Sequence, residues 1–225
     1  MGCGSGCYGL IFKTLAKDNF GNYSGIDIYK NKKYPKEFTH HLDDAKNAAN
    51  YISNETNFIV SQSALEHIEK DIETLISVTK KLVQSNKKFI QIHMIPAAPL
   101  LYLYLWHGWR QYSLRNIFEI SKQLIYLDKQ IKIDVFPLTG YNSFFAHLRH
   151  ITLPIVFNHI AKIFKLTKET LVWSDKKGVK ELMWKAVFKD LNSNSSTLNV
   201  FWVLVITPVD VDIGLDELED KIDKK

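Results

Sequence analysis

Two histidines three residues apart, His147 and His150 in "AHLRHI", are the first candidates for chemistry. At that spacing they share a helix face, as metal ligands or as a general base pair, but no carboxylate partner is evident. A packed histidine pair is the plainer reading. His93 stands inside the apolar run "FIQIHMIP" and reads as a satisfied core imidazole rather than a base. His40, His41, Asp43 and Asp44 look like a metal cluster by composition. Neighbours on a helix point in different directions, so the four cannot converge on one ion and read as a solvated helix start. "WHGWRQYSLR" sets Arg110 and Arg115 among Trp106, Trp109 and Tyr112. Arginine with aromatic rings clamps phosphates and stacks bases; tryptophans packing into the core are the equal competitor. "GCGSGCYG" resembles a phosphate cradle, but no strand precedes it and no lysine closes it. No Walker loop, GxSxG elbow or HExxH motif is present. Ligand binding, without a catalytic residue, metal or cofactor, is therefore the expectation.

The elements that must position a ligand are clearest in the middle of the chain. Phe58–Val60 reads as a short apolar strand, followed by Ser61, Gln62 and Ser63. Ser63 with Glu66 has capping-box spacing, and Leu65, Ile68, Ile72, Leu75, Ile76, Leu82 and Val83 keep helical spacing beyond it. "KKFIQIHMIPAAP" is a second strand, apolar enough to be buried in a parallel sheet. Such a strand–helix–strand unit crosses over right-handed. The junctions at Ser61–Ser63 and at Pro96, Ala97 and Ala98 then share the carboxyl edge of the sheet, where helix starts offer free amides to an anion. An ordinary tight connection with small residues competes evenly with that reading.

Elsewhere the pattern is looser. Residues 8–38 suggest a hairpin or irregular lead-in, and "THHLDDAKNAANYIS" a helix capped by Thr39. A helix is expected from "APLLYLYLWHGW", a third strand at "LRNIFEI" (114–120), a fourth at "KQIKIDVFPL", helices around Pro154 and over "DKKGVKELMWKAVFKDL", and a buried strand at "LNVFWVLVITP" near the middle of a sheet. The fold class expected is α/β, a Rossmann-like, mainly parallel sheet flanked by helices, with additional helices in the C-terminal half. The expected divisions are a lead-in over 1–56, an α/β domain over 57–209 with a helical insertion at about 143–190, and an acidic tail over 210–225.

Of 225 residues, 46% are apolar, enough for a sizeable core. The formal charge is +5; from Asp210 onward seven acids against three lysines give −4, which leaves +9 on the rest. A basic body points to an anionic partner such as a nucleotide, a nucleic acid or a membrane surface, or simply to a solvated surface. Cys3 and Cys7 alone cannot complete a four-ligand zinc site. The start lacks signal-peptide order, Gly6 breaks the myristoylation pattern, and no segment qualifies as membrane-spanning, so a reduced, cytoplasmic chain is expected.

The residues "FIVSQSA" with the helix that follows, and "IQIHMIPAAPLLYLYLWHG", resemble one half of a SAVED domain, related to the CARF sensors of prokaryotic antiviral systems. The resemblance covers about 65 residues, from Phe58 to Ile120. It implies a sensor that binds a cyclic oligonucleotide through Ser61, Gln62, Ser63, Pro96, Ala97 and Ala98. Arg110 and Arg115 join that candidate site on charge alone. No second sensor half and no effector domain is recognisable, so signalling would pass through homo-oligomeric assembly or a partner effector protein. A non-catalytic scaffold subunit is the main alternative, and a small hydrolase using His147 and His150 the next.

Overall fold

The computed structural model describes residues 1–97, 109–164, 177–193 and 198–212. Its centre is the strand–helix–strand unit read from the sequence. β3 (Phe58–Gln62) and β4 (Ile90–Pro96) pair in parallel, Phe58 with Ile90 through Gln62 with Met94. Between them runs α2 (Asp71–Gln84), whose Leu75, Val78 and Leu82 are buried against the sheet. Each such side chain contributes roughly 1.5–3 kcal/mol by leaving water. Two later strands complete this sheet, β5 (Ile131–Leu138) and β6 (Phe201–Pro208), in the order β3-β4-β6-β5. β6 lies antiparallel to both neighbours, so three of the four strands point the same way. The architecture is α/β and Rossmann-like, with helices flanking the sheet. The "LNVFWVLVITP" strand takes the central place expected of it, with Leu204 and Ile206 fully buried.

A second, two-stranded sheet precedes it. β1 (Ser24–Asp27) and β2 (Thr39–Leu42) are parallel, paired Ser24 to Thr39 through Asp27 to Leu42. The expected lead-in hairpin is instead α1 (Cys7–Ala16) followed by β1, and the expected helix from Thr39 is β2 followed by a 3₁₀ segment, Ala45–Tyr51. Asp44, not Thr39, caps that segment, accepting from the Lys46 amide. Pairing with β1 outweighs the local helical spacing, as tertiary context often does.

The expected strand at 114–120 is also corrected: α3 spans Leu114–Leu127. Ser113 and Asn116 cap it reciprocally, and Ile117, Ile120 and Leu124 recur at helical spacing to face the core. Capping moves likewise at Ser63, which has a left-handed φ of 45° and donates its amide to Met94 O at 3.0 Å. A single 3₁₀ turn, Leu65–His67, follows, so α2 begins only at Asp71.

In the C-terminal half α4 (Tyr141–His147) continues through a wide π turn, Leu148–Thr152, into α5 (Leu153–Ile163), with Pro154 in the first turn of α5. α6 (Lys177–Ser193) packs on α4 through Asp190. Its carboxylate accepts the amides of Gly140, Asn142 and Ser143 at 2.8–2.9 Å, satisfying the start of α4 from a distance. Burial works against that charge, but the bonds from Ser143 and Asn142 outweigh it and hold the carboxyl below its ordinary range. The helix expected from "APLLYLYLWHGW", the polar turn in "NSNSST" and the end of the acidic tail fall on 98–108, 194–197 and 213–225, outside the described residues. Among the described residues no helix is long and apolar enough to cross a membrane.

Candidate ligand-binding rim

The carboxyl ends of β1 and β3 converge on the first residues of the chain. The Met1 nitrogen donates to Val60 O at 2.8 Å, while the amides of Gly2 and Cys3 donate to Ile26 O at 3.0 and 3.1 Å. Gly2, Gly4 and Gly6 all have left-handed φ, at 65°, 51° and 72°, so the segment coils across the strand ends before α1 begins. Only glycine holds such a succession cheaply. A Cβ on Gly6 would meet the Tyr34 ring at 2.8 Å, whereas one on Gly4 would meet nothing within 4 Å. The loop is thus walled at Gly6 and open at Gly4, with a helix start behind it.

Two carboxylates stand at the ends of β1 and β2, one of them bonded to this loop. Asp27, the last residue of β1, accepts the Gly4 amide at 2.8 Å and the Tyr29 amide at 3.1 Å. Asp43, just past β2, accepts the Asp44 amide at 2.7 Å, Asn47 Nδ2 at 3.0 Å and the Tyr51 hydroxyl at 2.7 Å. The Tyr51 hydroxyl first, then Asn47, draws the Asp43 carboxyl below its ordinary range. The Asp43 amide donates to Asp27 O, which ties the two together. A carboxylate oxygen accepts two hydrogen bonds, so Asp27 keeps acceptor capacity for a ligand hydroxyl or amine.

The residues singled out from the sequence are distributed differently. The junctions of β3 and β4 do lie side by side, since the strands are parallel. At the β4 end, however, the backbone is already used. The Ala97 amide donates to Val200 O, the Tyr112 amide donates to Pro96 O, and both Pro96 and Ala97 are buried. Ser61 points into the core, where its hydroxyl meets His93 Nδ1 at 2.8 Å. His93 Nε2 in turn meets Gln91 Oε1 at 3.3 Å, and Gln91 Nε2 donates to Thr79 Oγ1 at 2.9 Å. Burial drives the His93 imidazole down to about 3, so it is neutral. With Nε2 protonated, Nδ1 is the acceptor of the Ser61 proton. Gln62 is exposed at the end of β3, and Ser63 stands at the rim. Arg110 pairs with Asp71 at 2.9 Å, and the same carboxylate oxygen accepts the Tyr112 hydroxyl at 2.6 Å. Arg115 is exposed at the start of α3, and Ala98 lies outside the described residues. His147 is buried, with Nδ1 at 3.2 Å from Thr152 Oγ1.

Glu66 is the other charged group beneath this edge. It is 1% exposed, with the His67 imidazole 3.9 Å from Oε1 and the Ser63 side chain beside it. Burial pushes its carboxyl up to about 7. With Asp27 bonded to the loop at Gly4, Asp43 tied to Asp27 through its amide, and Arg110 neutralised by Asp71, this part of the rim offers acceptors. A polyanion would meet carboxylates there. A ligand bearing hydroxyl groups and positive charge suits it better.

Sequence reading set aside the glycine run from Gly2 to Gly9 and Asp43, and passed over Asp27. The signal was present as Gly4-x-Gly6-x-x-Gly9 opening a helix, with Asp27 about 20 residues further on. Gly9 packs under the loop, where a Cβ would stand 2.5 Å from Phe38.

No protein-family model matches the chain, and no curated protein matches it in sequence. Solved structures do. The plantazolicin methyltransferase BamL, in complex with a triazolic desmethylPZN analog and SAH, superposes with a TM-score of 0.58 over 93% of this chain and 75% of its own, at 13% identity. The plantazolicin methyltransferase BpumL with pentazolic desmethylPZN analog and SAH gives 0.52 over 92% and 74%, at 12% identity. The [4+2]-cyclase SpnF gives 0.51 over 94% and 73%, at 14% identity. These likenesses establish the fold. They correct the sequence-level resemblance: the chain is similar to methyltransferases of Rossmann-like fold over nearly its whole length, not to half of a SAVED or CARF sensor. The antiviral cyclic-oligonucleotide sensor, with its nucleotide ligand and effector partner, is withdrawn with it. The short strand-to-helix segments that suggested that family are common to Rossmann-like sheets in general.

Proposed function

We propose that the rim binds S-adenosylmethionine and that the chain is a methyltransferase acting on an organic acceptor. The observation that carries this reading is the Gly2–Gly6 loop, open at Gly4 and tied at 2.8 Å to Asp27 at the end of β1. The fold shared with proteins crystallised with SAH supports it. The cofactor, when bound, supplies a methyl group activated on a sulfonium. The residues of this chain bind and orient it. Gly4 lets it approach the backbone, Asp27 accepts hydrogen bonds from its hydroxyl groups, and the acidic rim favours its positive charge. Asp43, engaged by Asn47 and Tyr51, fixes the neighbouring loop. A cytosolic location, expected from the sequence, remains part of the proposal; both cysteines are free thiols.

Calorimetric titration with S-adenosylhomocysteine tests the reading. Binding is expected to the native chain and to weaken at least about tenfold in Asp27→Ala, since a hydrogen bond to a charged group contributes roughly 1.5–3 kcal/mol. Absence of binding at millimolar ligand, by a chain whose circular dichroism shows it folded, would refute it.

A further inference from the structure

α2 and α3 each bury one side, but no described side chain of α5 is buried. Its sequence, "LPIVFNHIAKI", is nevertheless apolar around most of its circumference. A helix of that kind belongs in a core or in lipid. Leu153, Phe157, Ile160 and Phe164, the last just beyond α5, succeed one another at intervals of four, three and four residues. They therefore form one stripe, and all four are exposed, Phe157 at 64% and Phe164 at 69%.

α6 repeats the arrangement. Ala186 and Asp190 are buried, whereas Trp184, Phe188 and Leu191 lie on the opposite side, each more than half exposed. The Trp184 and Phe188 ring centroids are 6.1 Å apart. Lys185 and Lys189 run along one flank of this stripe, and Lys180 stands on the other. Glu181 also borders it, so three lysines against one acid leave +2. Arg149, exposed in the π turn before α5, adds a further cation.

Apolar side chains bordered by cations suit a lipid surface: the rings and aliphatic groups enter the acyl boundary while the lysines stay among the headgroups. Other partners satisfy half of the pattern. A nucleic acid would pair with the lysines and leave Leu153, Ile160 and Leu191 against phosphate and sugar. A second copy would cover the stripes but set lysine against lysine. We propose that α5 and the outer side of α6 dock this chain on an anionic membrane surface, lying along it without crossing. Each lysine near such a surface adds to the attraction. The inference holds whatever the rim binds, and its test reads no cofactor.

The test is flotation of the 225-residue chain with vesicles of phosphatidylcholine alone and of phosphatidylcholine with about 30% phosphatidylglycerol. Binding to the anionic vesicles is expected, at least about tenfold tighter than to the neutral ones. Phe157→Ser/Phe164→Ser and Trp184→Ser/Phe188→Ser should each weaken it at least about tenfold, the factor that one such side chain contributes by leaving water. Lys180→Gln/Lys185→Gln/Lys189→Gln keeps every apolar group and should bring anionic binding down toward the neutral level. Leu114→Ser/Phe118→Ser, at an exposed apolar place on α3, should change nothing. Absence of flotation with anionic vesicles at millimolar lipid, equal flotation with both vesicles, or an equal loss from the α3 variant overturns the proposal. So does a vesicle-free dimer that the α5 or α6 variants dissociate, because the stripes then belong to a second copy.

Discussion

Replacing Glu66 by glutamine should make the protein more stable, and only above a certain pH. The carboxyl sits at 1% exposure, with the half-exposed His67 imidazole 3.9 Å from Oε1, and burial, outweighing the hydrogen bonds of its own backbone and of Ser63, lifts it from an ordinary value of 4.5 to about 7. The folded state therefore holds this proton more tightly than the unfolded chain. Linkage then makes its contribution fully present below the unfolded value and lost as pH rises through about 7. At about 1.4 kcal/mol per pH unit, the whole effect is on the order of 3 kcal/mol. Glutamine cannot ionise and is close in shape, so Glu66→Gln should lose that dependence. Urea unfolding of both proteins at a series of pH values from 4 to 9 reads the difference directly, and subtraction removes the titrating groups that do not touch Glu66, as His67 does at 3.9 Å. The variant is expected to match the parent near pH 4 and to exceed it by about 2–4 kcal/mol at pH 9. A difference that is flat with pH would refute the argument, because it would mean that Glu66 titrates alike in the folded and unfolded chains.

His93→Leu removes the centre of the buried chain from Ser61 to Thr79 and strands the Ser61 hydroxyl and Gln91 carbonyl. A loss of about 2–5 kcal/mol in chemical denaturation is expected, against near-neutrality if the imidazole were only filling space. Asp190→Ala should release the Gly140, Asn142 and Ser143 amides at a cost of about 2–4 kcal/mol, seen as faster exchange at those three positions. Because the Asp190 carboxyl is held below its ordinary range, its contribution is present above the unfolded value and lost as pH falls. The Asp190→Ala difference should therefore shrink in acid; a difference that grows there would contradict it.

What the sequence revealed tracks how local each signal is. The β3–α2–β4 unit combines two apolar runs with an amphipathic helix, and its pattern survives into the structure because the same residues decide both levels. His93 was readable as a core imidazole because it interrupts an apolar strand. α3 was misread from a seven-residue fragment: Leu114, Ile117 and Phe118 already stand at i, i+3 and i+4, and Leu124 extends the helical period that Ile117 and Ile120 begin. β1 and β2 carry too few residues to show a period, and their pairing is a tertiary fact. The rim was missed for a related reason. The glycines were dismissed for lack of a preceding strand, yet the strands that seat them, β1 and β3, come later in the chain. Asp27 gains its meaning from a 2.8 Å bond to Gly4 that closes over 23 residues.

The π turn at Leu148–Thr152 has its own effect on the reading of a helix. One surplus residue per turn slips the angular phase of everything beyond it, so side chains counted as neighbours three apart, such as His147 and His150, diverge, while His147 comes to meet Thr152 five places on. Trimming a single residue there would let the backbone relax to its tighter pitch, and α5 would revolve by about a quarter turn, presenting a different set of side chains to its surroundings.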